Sequence, residues 1–232
     1  MIKNKKEIEF IKKSAKIASS CIPLIKKLLK KKKITEREIA LAIRRKIYSQ
    51  GAKLAFNTIV ACGKRSAMIH PKPRVTNRLV SGLGYVDFGA SYKGYKTDMT
   101  IPFIKGNISK KEEKIVYTVV KAYELAIKSI KINLPCFKLF EKVNNFLRKH
   151  GFYLQHSLGH GVGMKIHELP IIGTPKRKFS KKRKIIKFQK NMVFTIEPAI
   201  YVKELGGCRL ENTFLLTDKG LISLTKARLI KV

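Results

Sequence analysis

The sequence predicts an α+β fold in which helices pack on one side of a largely antiparallel sheet. Three observations carry this. Segments with apolar residues at helical spacing open on capping-box pairs. Runs rich in Val, Ile, Phe, Tyr and Thr fill 83–104, 192–202 and 209–225. The two kinds of segment are interspersed rather than strictly alternating, which disfavours a doubly wound parallel sheet.

Taken in order, residues 5–31 carry a helical apolar pattern with Pro23 as a kink. Thr35 and Glu38 match the Ser/Thr-x-x-Glu box and predict a second helix that Gly51 ends. Residues 54–62 read as a strand. A third helix is predicted from Ser109, with Glu112 as box partner and an apolar stripe of Val116, Val119, Val120, Tyr123 and Ile127. A fourth, near 138–149, stops at Gly151, where His150 reads as a C-terminal cation. The basic stretch 175–190 reads as a connection before a strand. With no linker, low-complexity tract or short repeat, 1–232 is read as one domain.

At 232 residues and 44% hydrophobic, the chain can bury a sizeable core. The start, MIKNKKEIEF, lacks the apolar region of a signal peptide, and no later run reaches membrane-spanning length. A soluble, cytoplasmic protein without membrane contact is expected. Cys21, Cys62, Cys136 and Cys208 are scattered, which suits reduced thiols in packing roles. Lys and Arg number 51 against 15 acidic residues, a net charge of +36. That balance admits weak, non-specific contact with a polyanion or the ribosome. The excess is spread over every segment, however, without zinc-finger spacing or an RRM-type aromatic motif, so most of it is read as solvated surface.

Two hairpins bring carboxylates together. In GYVDFGASYKGYKTDMTI, a turn at Ser91–Gly94 would pair Ala90 with Tyr95 and set Asp87 opposite Asp98. In NMVFTIEPAIYVKELGGCRLENTFLLT, a loop from Val202 to Gly206 would set Glu197 opposite Glu211. A single acidic pair is usually surface charge, but both pairs here have apolar flanks. Opposed carboxylates repel unless a proton or cation sits between them. His70, His156, His160 and His167 fall close to these elements, and glycines at 159, 161 and 163 allow close approach of backbone around His160. Carboxylates with one or two imidazoles suit Mn, Co, Fe(II) or Zn rather than a closed thiolate site. Four carboxylates can hold two divalent ions, which can share and acidify a water.

With these residues in place, the sequence resembles the pita-bread metallopeptidases, peptidase family M24. The resemblance is to the aminopeptidase P and prolidase branch, which acts on Xaa-Pro bonds. It runs from KEIEFIKKSAKIA to LLTDKG through VDFGASYKGYKTDMT, GHGVGMKIHELP, TIEPAIY and GGCRLENTFLLT. It implies a curved, mainly antiparallel pita-bread sheet covered by helices. It also implies two divalent ions, Mn foremost, with Co, Fe or Zn as alternatives. By position, Asp87 would be a terminal ligand of one ion, Asp98 and Glu211 bridging ligands, and His160 and Glu197 ligands of the other. Glu197 would act as general base on a metal-bridging hydroxide, and His70 and His167 would contact the substrate and the developing oxyanion. His156 and Arg209 would bind a substrate carbonyl or carboxylate; an ion pair with the ligand cluster is the plainer reading of Arg209. Peptides are the partners implied, and a homodimer is compatible.

The short Glu197–Glu211 hairpin, His156 and Arg209 favour the Xaa-Pro branch over methionine aminopeptidase, the runner-up, although the chain has the size of the latter. The N-terminal domain usual in the Xaa-Pro branch is not expected within this sequence. Ile101 stands where the family often has Arg, Ala199 where it has Gly, and CGKRSAMIH departs from the usual approach to the first histidine. A non-catalytic binding module for nucleic acid or protein is the third reading. The complete ligand set argues against it.

Overall fold

The computed structural model describes residues 1–76, 78–174 and 185–232; most of the basic 175–190 connection lies outside them. Five α-helices form among the described residues, at α1 Lys5–Ser19, α2 Ile22–Leu29, α3 Glu36–Tyr48, α4 Lys110–Ser129 and α5 Cys136–Lys149. The single kinked helix expected over 5–31 is therefore two. Pro23 sits in the first turn of α2, where its missing N–H costs nothing, and the chain breaks ahead of it at Ser20 and Cys21. Capping boxes close α3 on Thr35 and Glu38 and α4 on Ser109 and Glu112, with one more on α1 between Asn4 and Glu7. Each satisfies two otherwise orphaned N–H groups. Val116 and Val119 of α4 are buried, and Val120, Tyr123 and Ile127 pack against the core, so the predicted stripe faces inward.

Two larger sheets share the core with all five helices. One has five antiparallel strands in the order Gly220–Ser223, Asn212–Thr217, Val193–Ile196, Gly159–Gly161, Glu168–Ile172. The other orders Ile230–Lys231, Met99–Lys105, Gly82–Phe88 and Ile59–Cys62; only Ile230–Lys231 joins in parallel. A bridge between Thr100 and Glu211 joins one sheet to the other, N–H to carbonyl in both directions at 3.3 and 3.1 Å. The strand expected over 54–62 is split into Lys53–Leu54 and Ile59–Cys62. Lys53 pairs with Ser91 while Ile59 pairs with Asp87, so the outer chain spends two more residues than its partner between these pairs.

All four cysteines are free and buried. No helix among the described residues is long and apolar enough to cross a membrane.

Candidate metal centre and active site

The first hairpin turns on two residues, not four: Tyr92 pairs with Tyr95, and Lys93 and Gly94 take φ of 49° and 85°. That is the left-handed geometry of a tight hairpin turn. The tighter turn shifts the expected register by two, so Asp87 lies opposite Thr100, not Asp98. Because side chains alternate with a period of two, a two-residue shift leaves Asp87 and Asp98 on one face as diagonal neighbours. In the second hairpin Val202 pairs with Gly206 and Ala199 with Arg209, while Ile196 pairs with Asn212 beyond. Glu197 and Glu211 are thereby opposed, as the sequence predicts, around a three-residue loop.

Both acidic pairs meet where the sheets join. Asp87 and Asp98 are each 6% exposed, Glu211 2% and His160 4%. His160 Nε2 lies 3.7 Å from Asp98 Oδ2 and 3.6 Å from Glu197 Oε1. Its Nδ1 is 3.1 Å from the Gly161 carbonyl. That contact places the proton on Nδ1 and turns the Nε2 lone pair toward the carboxylates. Burial, then His167, pushes the His160 pKa down to about 4, so the ring is neutral and able to ligate at neutral pH.

The carboxyls are pushed the other way. Burial, followed by Glu211 and Asp87, holds Asp98 well above the usual carboxylate range. Burial and Glu211 do the same for Glu197, and burial and Asp87 raise Glu211 to about 8. Asp87 Oδ1, Asp98 Oδ1 and Glu211 Oε1 are buried without a hydrogen-bond partner among the described residues. Unpartnered acidic oxygens at this depth are costly, and a divalent cation removes the cost. Asp98, His160 and Glu211 also bring ligand atoms within 4.8 Å of one another. The residues present therefore fit a metal centre with mostly oxygen ligands.

A cavity of about 290 Å³ opens over this cluster and is lined by all nine residues singled out in the sequence: Asp87, Asp98, His160, Glu197, Glu211, His70, His156, His167 and Arg209. Phe56, Ile59, Ile69, Ile166 and Ile171 make its apolar walls. His70 and His167 are exposed, and His167 stands edge-on to His160 with ring centroids 4.2 Å apart. Arg209 is 2% exposed. It donates to Asp87 Oδ2, to Thr100 Oγ1 at 3.1 Å, to the Ile69 carbonyl at 3.2 Å and to the Tyr201 hydroxyl, and it stacks over the Tyr85 ring at 4.5 Å. The ion pair with the acidic cluster is thus present, and most of the guanidinium's donors are committed to protein. His156 contacts the Tyr201 hydroxyl through Nε2 at 3.2 Å and the Ser157 carbonyl through Nδ1 at 2.7 Å.

A model of metallopeptidase family M24 matches residues 9–218. The chain belongs to family M24. The Xaa-Pro dipeptidase of Pyrococcus horikoshii is 35% identical over 230 residues, 97% of this chain and 63% of that protein. A prolidase from Pyrococcus furiosus superimposes with a TM-score of 0.88 at 35% identity, covering 98% of this chain and 66% of that one. An X-Pro aminopeptidase from Thermotoga maritima does so at 0.89 and 32% identity, covering 100% and 65%. The M24 chain thus has the pita-bread fold, and it spans somewhat less than two thirds of the length of these relatives.

Four residues of the M24 site were not singled out from sequence. Thr100 donates from Oγ1 to Glu211 Oε2 at 2.7 Å. Thr195 Oγ1 accepts from the His160 N–H at 3.2 Å. Thr213 Oγ1 accepts from the Asp98 N–H at 3.0 Å and donates to the Asp98 carbonyl at 2.7 Å. Tyr201 joins His156 to Arg209. Each threonine lies two positions from an acidic residue of the site, and Tyr201 four from Glu197. These spacings share a strand face, and that was the available signal.

Gly159 has a steric role beside His160. A Cβ there would sit 2.0 Å from the Thr195 carbonyl oxygen. Gly159→Ala is expected to destabilise by about 1–3 kcal/mol through overpacking, or roughly 2–4 °C in Tm per kcal/mol at this chain length. A thermal melt checks it; an unchanged Tm would mean the strands can part there without cost.

Proposed function

We propose that this chain is the catalytic unit of a dinuclear, divalent-metal exopeptidase that hydrolyses the N-terminal peptide bond of peptides at Xaa-Pro. Mn is the leading metal, with Co, Fe or Zn as alternatives. The carrying observation is the meeting of Asp87, Asp98, His160, Glu197 and Glu211 under one cavity, with unpartnered buried oxygens on three of them. The names of the similar Xaa-Pro dipeptidase, prolidase and X-Pro aminopeptidase support the choice of bond.

When bound, the metal pair would supply Lewis-acid polarisation of the scissile carbonyl and a lowered pKa for the attacking water. The protein's own groups do the rest. Glu197, the least buried of the four carboxylates at 14% side-chain exposure, takes the proton of the attacking water and returns it to the leaving nitrogen. His167 and His70, on the open side of the cavity, hydrogen-bond the carbonyl oxygen as it gains charge. Arg209 holds Asp87 in place, and Tyr201 holds both Arg209 and His156. The apolar walls accommodate the side chain before the bond and the proline ring after it.

The test is product analysis by mass spectrometry after incubating the Mn-loaded protein with Xaa-Pro dipeptides, Xaa-Pro-Yaa peptides and Met-Ala-Ser peptides. Release of the residue before proline is expected. Loss of Met alone would transfer the assignment to methionine aminopeptidase, and no cleavage with Mn, Co, Fe or Zn would favour a binding module.

A further inference from the structure

The first strand contact in the chain lies beside the cavity loop. Ile2 bridges Met192, and the Lys3 N–H donates to the Asn191 carbonyl at 2.9 Å. Lys3 is 4% exposed, an unusual depth for lysine, and its ammonium pairs with the Glu168 carboxylate. Glu168 follows His167 directly and pairs by backbone with Gly161, the residue after His160. Its carboxylate also lies against the loop's turn: a Cβ on Gly163 would meet Glu168 Oε2 at 2.6 Å and Lys3 Nζ at 2.9 Å.

Between Gly161 and Glu168 the chain is also held by the Val162 N–H, which donates to the Val193 carbonyl at 3.1 Å, and by Ile166, which packs against Ile11, Val162, Val193 and Leu215. Val162 is buried and Gly163 accepts from the Lys96 N–H at 2.8 Å, but Met164 is 61% exposed and Lys165 and His167 are exposed. On the C-terminal side, the position of the His167 ring over His160 depends on the anchorage of its neighbour Glu168. A partly buried carboxylate deprived of its cation moves toward water and takes its backbone along.

We propose that Lys3 is a positioning residue: through its ion pair with Glu168 it locks the 161–168 loop and sets His167 at the cavity. Lys3 touches neither substrate nor metal ligand, so its effect is on the placement of a group that acts in the transition state. The catalytic consequence rests on the peptidase reading above; the locking of the loop does not.

The experiment compares Lys3→Met, Lys3→Arg and the charge-exchanged pair Lys3→Glu with Glu168→Lys, each Mn-loaded. Amide hydrogen exchange across 161–168 and steady-state kinetics on an Xaa-Pro substrate are the two readouts. Lys3→Met is expected to exchange faster in 161–168 with α4 and α5 unchanged. It should also lose up to about 10²-fold in kcat at near-constant KM, the cost of misplacing a transition-state contact. Lys3→Arg and the exchanged pair should restore both. Unchanged loop exchange in Lys3→Met would overturn the proposal. So would a loss of kcat that neither rescue variant repairs, because that pattern marks general damage. If the wild-type chain cleaves no peptide, the peptidase reading fails by itself and the exchange data still decide the lock.

Discussion

Glu197→Gln is expected to abolish most turnover while stabilising the metal-free protein. The amide keeps the shape and one acceptor oxygen but cannot take the proton of the attacking water, so kcat should fall about 10²–10⁴-fold. Glu197 is also one of four carboxylates packed together, and its carboxyl is held above the usual range by burial and by Glu211. Replacing a group that resists ionisation with a neutral amide relieves repulsion, and near pH 8 the metal-free Tm should rise, by roughly 2–4 °C per kcal/mol recovered. Kinetics on an Xaa-Pro peptide and a melt in chelator read the two effects separately. An enzyme that keeps its kcat would remove Glu197 from the proton-transfer role. A metal-free Tm that falls would show that the carboxylate is a net stabiliser without any cation.

The metal-free protein should also lose stability as pH rises from 6.5 to 8. Glu211 has a folded pKa of about 8 against an ordinary 4.5, so between these values the folded state holds a proton that the unfolded chain has released. Stability therefore falls as pH rises through that window. His156 and His160, both pushed down to about 4 from 6.5 by burial, act in the opposite sense: the unfolded chain binds their protons first, which offsets the carboxyl effect between pH 4 and 6.5. Above 6.5 only the carboxyl effect remains. One extra proton held by the folded state costs about 1.4 kcal/mol of stability for each step of one in pH, so Glu211 alone contributes a fall on the order of 2 kcal/mol from pH 6.5 to 8, and Asp98 and Glu197, raised in the same way, add to it. Saturating Mn should reverse the slope, because ligation displaces those protons, and should add about 4 kcal/mol at 1,000 times Kd. Melts across pH with chelator and with Mn check this. A chelated protein that grows steadily more stable from pH 6.5 to 8.5 would mean that the cluster is already ionised and balanced by some other charge.

The unequal success of the two hairpin predictions has a simple cause. The Glu197–Glu211 register was correct because one register runs from Ile196–Asn212 through Ala199–Arg209 to the loop, even though the strands break between these pairs. The Asp87–Asp98 register was off by two, because SYKG can turn on four residues or on Lys93 and Gly94 alone. The two-residue turn matches the twist of its flanking strands. The error left the shared face intact, since only odd shifts change it. The helix starts at Thr35 and Ser109 were legible for the same local reason: both partners of a capping box lie within four residues.

By itself the sequence determined the family, the order of the acidic and histidine residues, and the face on which each acidic pair lies. The family rests on the resemblance of the motif strings, and the faces depend on neighbours in the chain and on a period of two. Tertiary structure decided the rest. It committed Arg209 to Asp87, 122 positions away, and raised the pKa values of Asp98, Glu197 and Glu211 by burying them in one acidic cluster. It also brought Lys3 to Glu168 across 165 positions. Such contacts are chosen by the packing of whole sheets, and the desolvation that gives them their strength exists only once the chain has closed around them.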